Sequence, residues 1–308
     1  MSDPIKIRMG GYGPPTTGFS KALKFIGDKL FAEFGPKIAV DYVFNIMDHG
    51  HKAEDILTLV ETGEITLGYQ SSSYLTDRVP ELGFVDLPFL FSSNAQARGA
   101  MDGALGDFLV KKTEERVGYR ILGWFENGFR HISNRLHPIH LPADMKGMKI
   151  RVLPSEIHKR TFDLLGAVAM RMDLTEAIAM IKAGTLDAQE NPLANTVTYG
   201  VHKFHKFHTL SYHFYISRPI FLHRASFDAW PAELQRAMRN AVTEAVAFQR
   251  KLAIEEHESA RNAIEAAGCE IVELNATGHE AFVAAVQSLL ADARKMYGDA
   301  VFKMVPHV

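Results

Sequence analysis

The chain is 308 residues long, 47% hydrophobic and 23% charged, which fits a globular protein and excludes a disordered or fibrous one. With 34 basic and 36 acidic residues the net charge is −2, so nothing global points to nucleic acid. The single cysteine, Cys269, excludes a disulfide framework and a cysteine-rich zinc module. In chain order, Ile5–Met9 reads as a strand, Gly10–Pro15 as a turn, and the stretch from Gly18 to Phe34 as a helix. Lys37–Phe44 is a second strand, Lys52–Thr62 a helix stopped by Gly63, and Ile65–Tyr69 a third strand. Asn94 is placed to cap a helix from Ala95 to about Val117, before a strand at Tyr119–Trp124. Lys149–Val152 and Thr185–Gln189 are further strands, with helices at Ser155–Leu165 and Leu174–Ala183 between them. This alternation predicts an α/β protein with mostly parallel sheets.

Trp230-Pro231 opens a helical pattern that runs to Ala267 and stops at Gly268, roughly 55 Å at 1.5 Å per residue. A helix of that length should span two lobes, with a candidate break near Ala247. No apolar run approaches the roughly eighteen residues of a membrane span. The N-terminus enters the first strand after Met-Ser-Asp-Pro, with no signal peptide.

The turn Gly11-Tyr12-Gly13-Pro14-Pro15-Thr16 sits where a dinucleotide fingerprint would, but Thr16 replaces its third glycine. Pro14 and Pro15 also remove two backbone donors, and Asp41 lies inside the second strand instead of closing it. The turn reads better as a loop lining a ligand cleft. His202, His205 and His208 recur every third residue, too widely spread for one ion on a helix, and read as solvated or stacked surface histidines. No metal site is expected. No nucleophile elbow or phosphate-binding loop occurs.

The polar residues at strand ends carry more information. Met148, Ile150 and Val152 share one strand face, and Arg151 lies on the other near the strand's exit. A guanidinium there can clamp a carboxylate through two parallel hydrogen bonds. Arg130 follows the Tyr119–Trp124 strand and Asn191 follows Thr185–Gln189, so the three groups are expected to converge in one crevice.

Leu141–Val152, reading LPADMKGMKIRV, resembles the "L-x-x-D-L-K-G-x-K-I-R-V" segment of DctP-type solute-binding proteins of TRAP (tripartite ATP-independent periplasmic) transporters. Phe84–Phe91 resembles the family's "DLPFLF" stretch, Asn127–Arg130 its "NGxR", Gly184–Pro192 its "GxxDGQENP" and Gly63–Gly68 its "GEIDMG". These segments occur in the family's order and cover nearly the whole chain. Ala188 stands where the family usually has glycine, and Met47-Asp48-His49-Gly50 replaces a common "QLG" turn.

The resemblance implies a two-lobed periplasmic-binding-protein-like α/β fold with a ligand cleft between the lobes and a long helix bracing both. Lobe I is expected at 1–126 and 214–255, and lobe II at 127–213 and 256–308. It implies that Arg151 bonds a ligand carboxylate with Arg130 and Asn191 assisting. It places Gln70, Ser71, Ser72 and Tyr74 along the pocket, Phe89 and Phe214 as apolar walls, and Tyr12 and Gly13 as lid-side contacts. His49 or Asp48 then bears on ligand choice. The implied function is a periplasmic receptor, monomeric and without cofactor or catalysis, that delivers a small organic acid to TRAP membrane subunits. The family's leader would have been trimmed from this chain. The segment Gln70–Tyr74 and the aromatics Tyr212, Phe214 and Tyr215 incline the ligand toward an aromatic or medium-sized monocarboxylate, while Arg130 as a second basic group would equally serve a dicarboxylate. The competing reading is a cytosolic α/β oxidoreductase that uses the glycine turn.

Overall fold

A computed structural model describes residues 3–305. Met1 and Ser2, on which the reading of the N-terminus rests, lie outside the described residues, as do the last three of the expected second lobe. The elements run β1 (Ile5–Gly10), α1 (Gly18–Phe34), β2 (Ile38–Val43), α2 (Asp55–Glu61), β3 (Leu67–Tyr69), α3 (Asn94–Met101) and α4 (Ala104–Glu114). Next come β4 (Tyr119–Asn134), β5 (Lys149–Val152), α5 (Glu156–Leu164), β6 (Val168–Arg171), α6 (Leu174–Lys182), β7 (Ala188–Asn191) and α7 (Leu193–Thr198). The chain closes with β8 (Phe207–His223), α8 (Arg224–Ala229), α9 (Ala232–Ala266), β9 (Glu270–Glu273), α10 (Ala276–Ala285), α11 (Gln287–Tyr297) and α12 (Asp299–Phe302).

The chain forms two compact units. The first comprises Met1–Ser71, Val110–Glu126 and Ser217–Ile254, and the second Ser72–Leu109, Asn127–Ile216 and Glu255–Val308. In the first unit β1 pairs in parallel with β2 and β3, and β3 pairs antiparallel with the end of β8. Helix α1 buries Phe19, Leu23, Ile26 and Leu30, a spacing of three to four that makes one apolar stripe. The first half of α9 does the same with Leu234, Met238, Ala241, Val242 and Ala245.

In the second unit β5 pairs in parallel with β6 and β7, and β7 pairs antiparallel with the end of β4. Its core gathers Ile132, Ile150, Phe162, Phe214, Ile216 and Phe282. Residues 72–109, expected in the first lobe, pack with this second unit. Phe84 sets its ring edge against Phe302 at 4.9 Å and Tyr297 at 5.5 Å, and the Phe89 N–H donates to the His213 carbonyl at 2.8 Å.

Several sequence expectations change. The helix from Ala95 to Val117 is two helices: Ser93, not Asn94, caps α3 by accepting from the Gln96 N–H, and the chain turns at Asp102-Gly103. The strand expected at Tyr119–Trp124 runs on to Asn134, so Arg130 lies inside a strand. Asn191 is the last residue of β7 and does not follow it. The 17-residue β8 has no counterpart in the sequence reading, because Pro219 reads as a strand breaker and the apolar pattern is dotted with polar residues. Strands β4 and β8 also bring antiparallel pairing into a sheet expected to be mostly parallel. Helix α9 is unbroken over 35 residues, with no interruption at Ala247, and Gly268 behind it takes a left-handed φ of 75°.

Candidate functional site

Register places the polar side chains. Arg151 of β5 lies opposite Gln189 of β7, while their neighbours Ile150 and Ala188 face the apolar core. Since successive side chains alternate, Arg151, Gln189 and Asn191 share the opposite face of the second unit's sheet.

Arg151 is 1% exposed. Its Nε donates to the Met172 carbonyl at 3.1 Å and its Nη2 to the Tyr74 hydroxyl at 3.0 Å. Of the five guanidinium donors, both on Nη1 and the second on Nη2 bond no described residue, and these can present two parallel N–H groups to a carboxylate. Among the described residues no carboxylate lies within 4.0 Å of that guanidinium.

Asn191 belongs to an amide network. Its Nδ2 donates to Gln189 Oε1 at 3.2 Å, and its carbonyl oxygen accepts from Asn195 Nδ2 at 3.2 Å. Asn195 Nδ2 also reaches Asn127 Oδ1 at 3.1 Å. The Nδ2 group of Asn127 is buried with no hydrogen-bond acceptor, which leaves a donor suited to a hydroxyl oxygen.

Arg130, equally buried, is differently engaged. Its Nε and Nη2 both bond the Glu190 carboxylate, and Nη2 also donates to the Glu190 carbonyl at 2.6 Å. His213 Nε2 lies 3.4 Å from the same carboxylate. Burial pushes the Glu190 carboxyl up, but Arg130 and His213 more than reverse this and hold it below the usual carboxylate range. The structure therefore joins Arg130 to Glu190, whereas Arg151 and Asn191 share a face without it.

Phe214, expected as a pocket wall, is 1% exposed and stacks on His158 at 4.0 Å within the core. Phe89 is half-buried with a left-handed φ of 55°, its ring edge-on to His279. Ser72 is buried with no partner for its hydroxyl.

In the first unit Gln70 donates to the Ala53 carbonyl at 2.8 Å and accepts from the buried Ser71 N–H. Gly13 accepts from the Ser20 hydroxyl at 3.2 Å, and Tyr12 is buried against Tyr69 at 5.4 Å. A side chain at Gly11 would come within 2.6 Å of the Tyr69 hydroxyl, so glycine allows this close approach. Asp48 accepts from Asn45 at 2.8 Å and His49 is exposed.

Sequence reading missed Arg218, a 3% exposed residue of β8 whose guanidinium lies 4.0 Å over Phe19 and 5.0 Å over Tyr12. Its signal is a lone charge in an apolar stretch, hidden because that stretch was not read as a strand. Of the three histidines expected at the surface, His205 and His208 are buried and His202 is half-buried. His205 bonds Ser133 at 2.9 Å and His208 the His205 carbonyl at 3.1 Å, and burial lowers their pKa values to about 3 and about 4. Among the described residues no group of three His, Cys, Asp or Glu side chains is arranged to hold a metal ion.

The chain thus has two α/β units, the second carrying the buried Arg151 with no carboxylate partner among the described residues, and comparison with known proteins gives its class and family. The profile of the family described as bacterial extracellular solute-binding protein, family 7 (DctP) matches residues 43–296, and the chain belongs to that family. The 2,3-diketo-L-gulonate-binding periplasmic protein of Escherichia coli is 31% identical over 71% of this chain and 67% of its own. The sugar acid binding protein of Advenella mimigardefordensis, solved with galactonate, has a TM-score of 0.93 and 26% identity over 99% of this chain and 97% of its own. A TRAP periplasmic solute binding protein of Polaromonas, solved with D-erythronate, has a TM-score of 0.92 and 25% identity over 99% of each chain.

Proposed function

We propose that this chain is an extracytoplasmic receptor that holds a polyhydroxylated monocarboxylic acid through Arg151 and delivers it to the membrane subunits of a TRAP transporter without converting it. One observation carries the reading. Arg130 and Arg151 are equally buried, yet only Arg130 has a protein carboxylate. A buried cation without a counter-charge is costly, and a ligand carboxylate on the open donors of Arg151 completes the pair.

The amide network of Gln189, Asn191, Asn195 and Asn127 favours a ligand with hydroxyl groups over an aromatic acid, because amides both donate and accept. Phe214 and Tyr215 are 1% and 4% exposed and committed to packing, which removes much of the stacking surface that had inclined the ligand toward a ring. The acids named for the three relatives are all hydroxylated or oxidised sugar acids, in line with this choice.

The oxidoreductase alternative has no comparable support. The Gly11 and Gly13 N–H groups are spent on the Val43 and Phe44 carbonyls, and the Thr17 N–H on that of Pro14. A pyrophosphate would find those amides already engaged.

Native mass spectrometry of the purified protein beside a denatured sample tests the proposal. A small acid lost on denaturation, or saturable binding of added D-galactonate, supports it. Failure of the protein to bind galactonate, erythronate or 2,3-diketo-L-gulonate, or binding of succinate in preference to them, would sink it, and a bound nicotinamide dinucleotide would replace it with the alternative.

A further inference from the structure

We infer that Tyr74 is a positioning residue that sets the plane of the Arg151 guanidinium, with Asp173 as its anchor, and that its hydroxyl does not itself take the ligand. The inference rests on the proposal that Arg151 holds the acid.

The Tyr74 hydroxyl accepts from Arg151 Nη2 at 3.0 Å and from the Leu174 N–H at 3.2 Å, and lies 3.5 Å from Asp173 Oδ2, to which it donates. A phenol has one proton to give and two lone pairs to accept with, so Arg151 and Leu174 take both lone pairs and the proton is directed toward Asp173 through the longer contact. Asp173 is itself fixed, since it caps α6 by accepting from the Thr175 N–H at 2.8 Å. Met172, the residue before it, takes Arg151 Nε at 3.1 Å.

Two non-collinear contacts, both referred to the start of α6, thus define the guanidinium plane. They leave Nη1 and one proton of Nη2 to form the parallel pair that a carboxylate needs. Without the phenol oxygen, Nη2 loses its fixed partner and the fork can tilt about Nε. Pre-organised groups bind more tightly than groups that must be ordered on binding.

A double-mutant cycle in isothermal calorimetry with D-galactonate tests this, with circular dichroism to confirm folding. Tyr74→Phe keeps the ring and should weaken binding about tenfold, as expected for loss of one hydrogen bond to a charged group. On an Arg151→Lys background, which has no fork to orient, the same change should cost less than about twofold. Asp173→Asn, which retains a capping side chain, should weaken binding in the same direction on the wild-type background only.

An equal loss from Tyr74→Phe on both backgrounds would mean that the phenol touches the ligand, and no loss on either that it does nothing for binding. Each result overturns the inference while leaving the Arg151 clamp standing. Wild-type affinity in Arg151→Lys and Arg151→Ala, or no galactonate binding by the wild-type protein, overturns the clamp and this inference with it.

Discussion

Arg151 and Arg130 show how one residue type takes two roles according to its neighbours. Arg130 is neutralised by Glu190 inside the protein, while Arg151 has its direction fixed by a carbonyl and a phenol but keeps its charge uncompensated. Arg151→Ala should weaken acid binding about a hundredfold by calorimetry, because it strands the ligand carboxylate. Arg151→Lys should also weaken it, since an ammonium cannot make the two parallel bonds. Glu190→Gln should instead unsettle the fold, leaving Arg130 as an uncompensated buried charge at a cost of about 3–5 kcal/mol in urea denaturation.

The buried histidines give a pH dependence of known sign. His208 falls to about 4 in the folded state through burial, against about 6.5 when unfolded, so the unfolded chain binds the proton more readily. The stability tied to the neutral ring is complete above about pH 6.5 and is lost as pH falls toward 4. Thermal melts should drop between pH 7 and 5, and His208→Asn should flatten that slope.

At the scale of elements, the ends of helices and strands position the site. The cap of α6 anchors Tyr74, the last residue of β7 is Asn191, and β5 carries Arg151 next to its C-terminal Val152. Helix α9 runs 35 residues and ends because Gly268 adopts a left-handed φ that other residues take at a cost. A Cβ at Gly268 would meet nothing within 4 Å, so Gly268→Ala isolates the backbone strain and should cost about 1 kcal/mol by chemical denaturation.

At the scale of the molecule, a receptor that binds only when folded is stabilised by its ligand. At a hundred times its Kd an acid adds about 2.7 kcal/mol of stability. That should raise the melting temperature by several degrees for D-galactonate and leave it unchanged for NADH. In vesicles carrying the cognate membrane subunits, acid uptake should require this protein and vanish with Arg151→Ala. Uptake that persists in that variant would separate transport from the clamp.

The sequence by itself determined the α/β alternation, the ends of α1, α6 and α9, the family, and Arg151 as a polar residue on one face of its strand. These features are written in short-range patterns: helical spacing, caps, glycine stops and contiguous motifs. The tertiary structure decided what those patterns cannot encode. Strand β8 emerged because its polar residues are buried by partners far away in the chain, and with it Arg218 moved into an aromatic nest. The placement of residues 72–109 with the second unit, the pairing of Arg130 with Glu190 and the tie between Tyr74 and Arg151, 77 residues apart, rest on contacts between distant segments. A side chain's charge is local, but whether that charge is already satisfied depends on what the fold brings beside it.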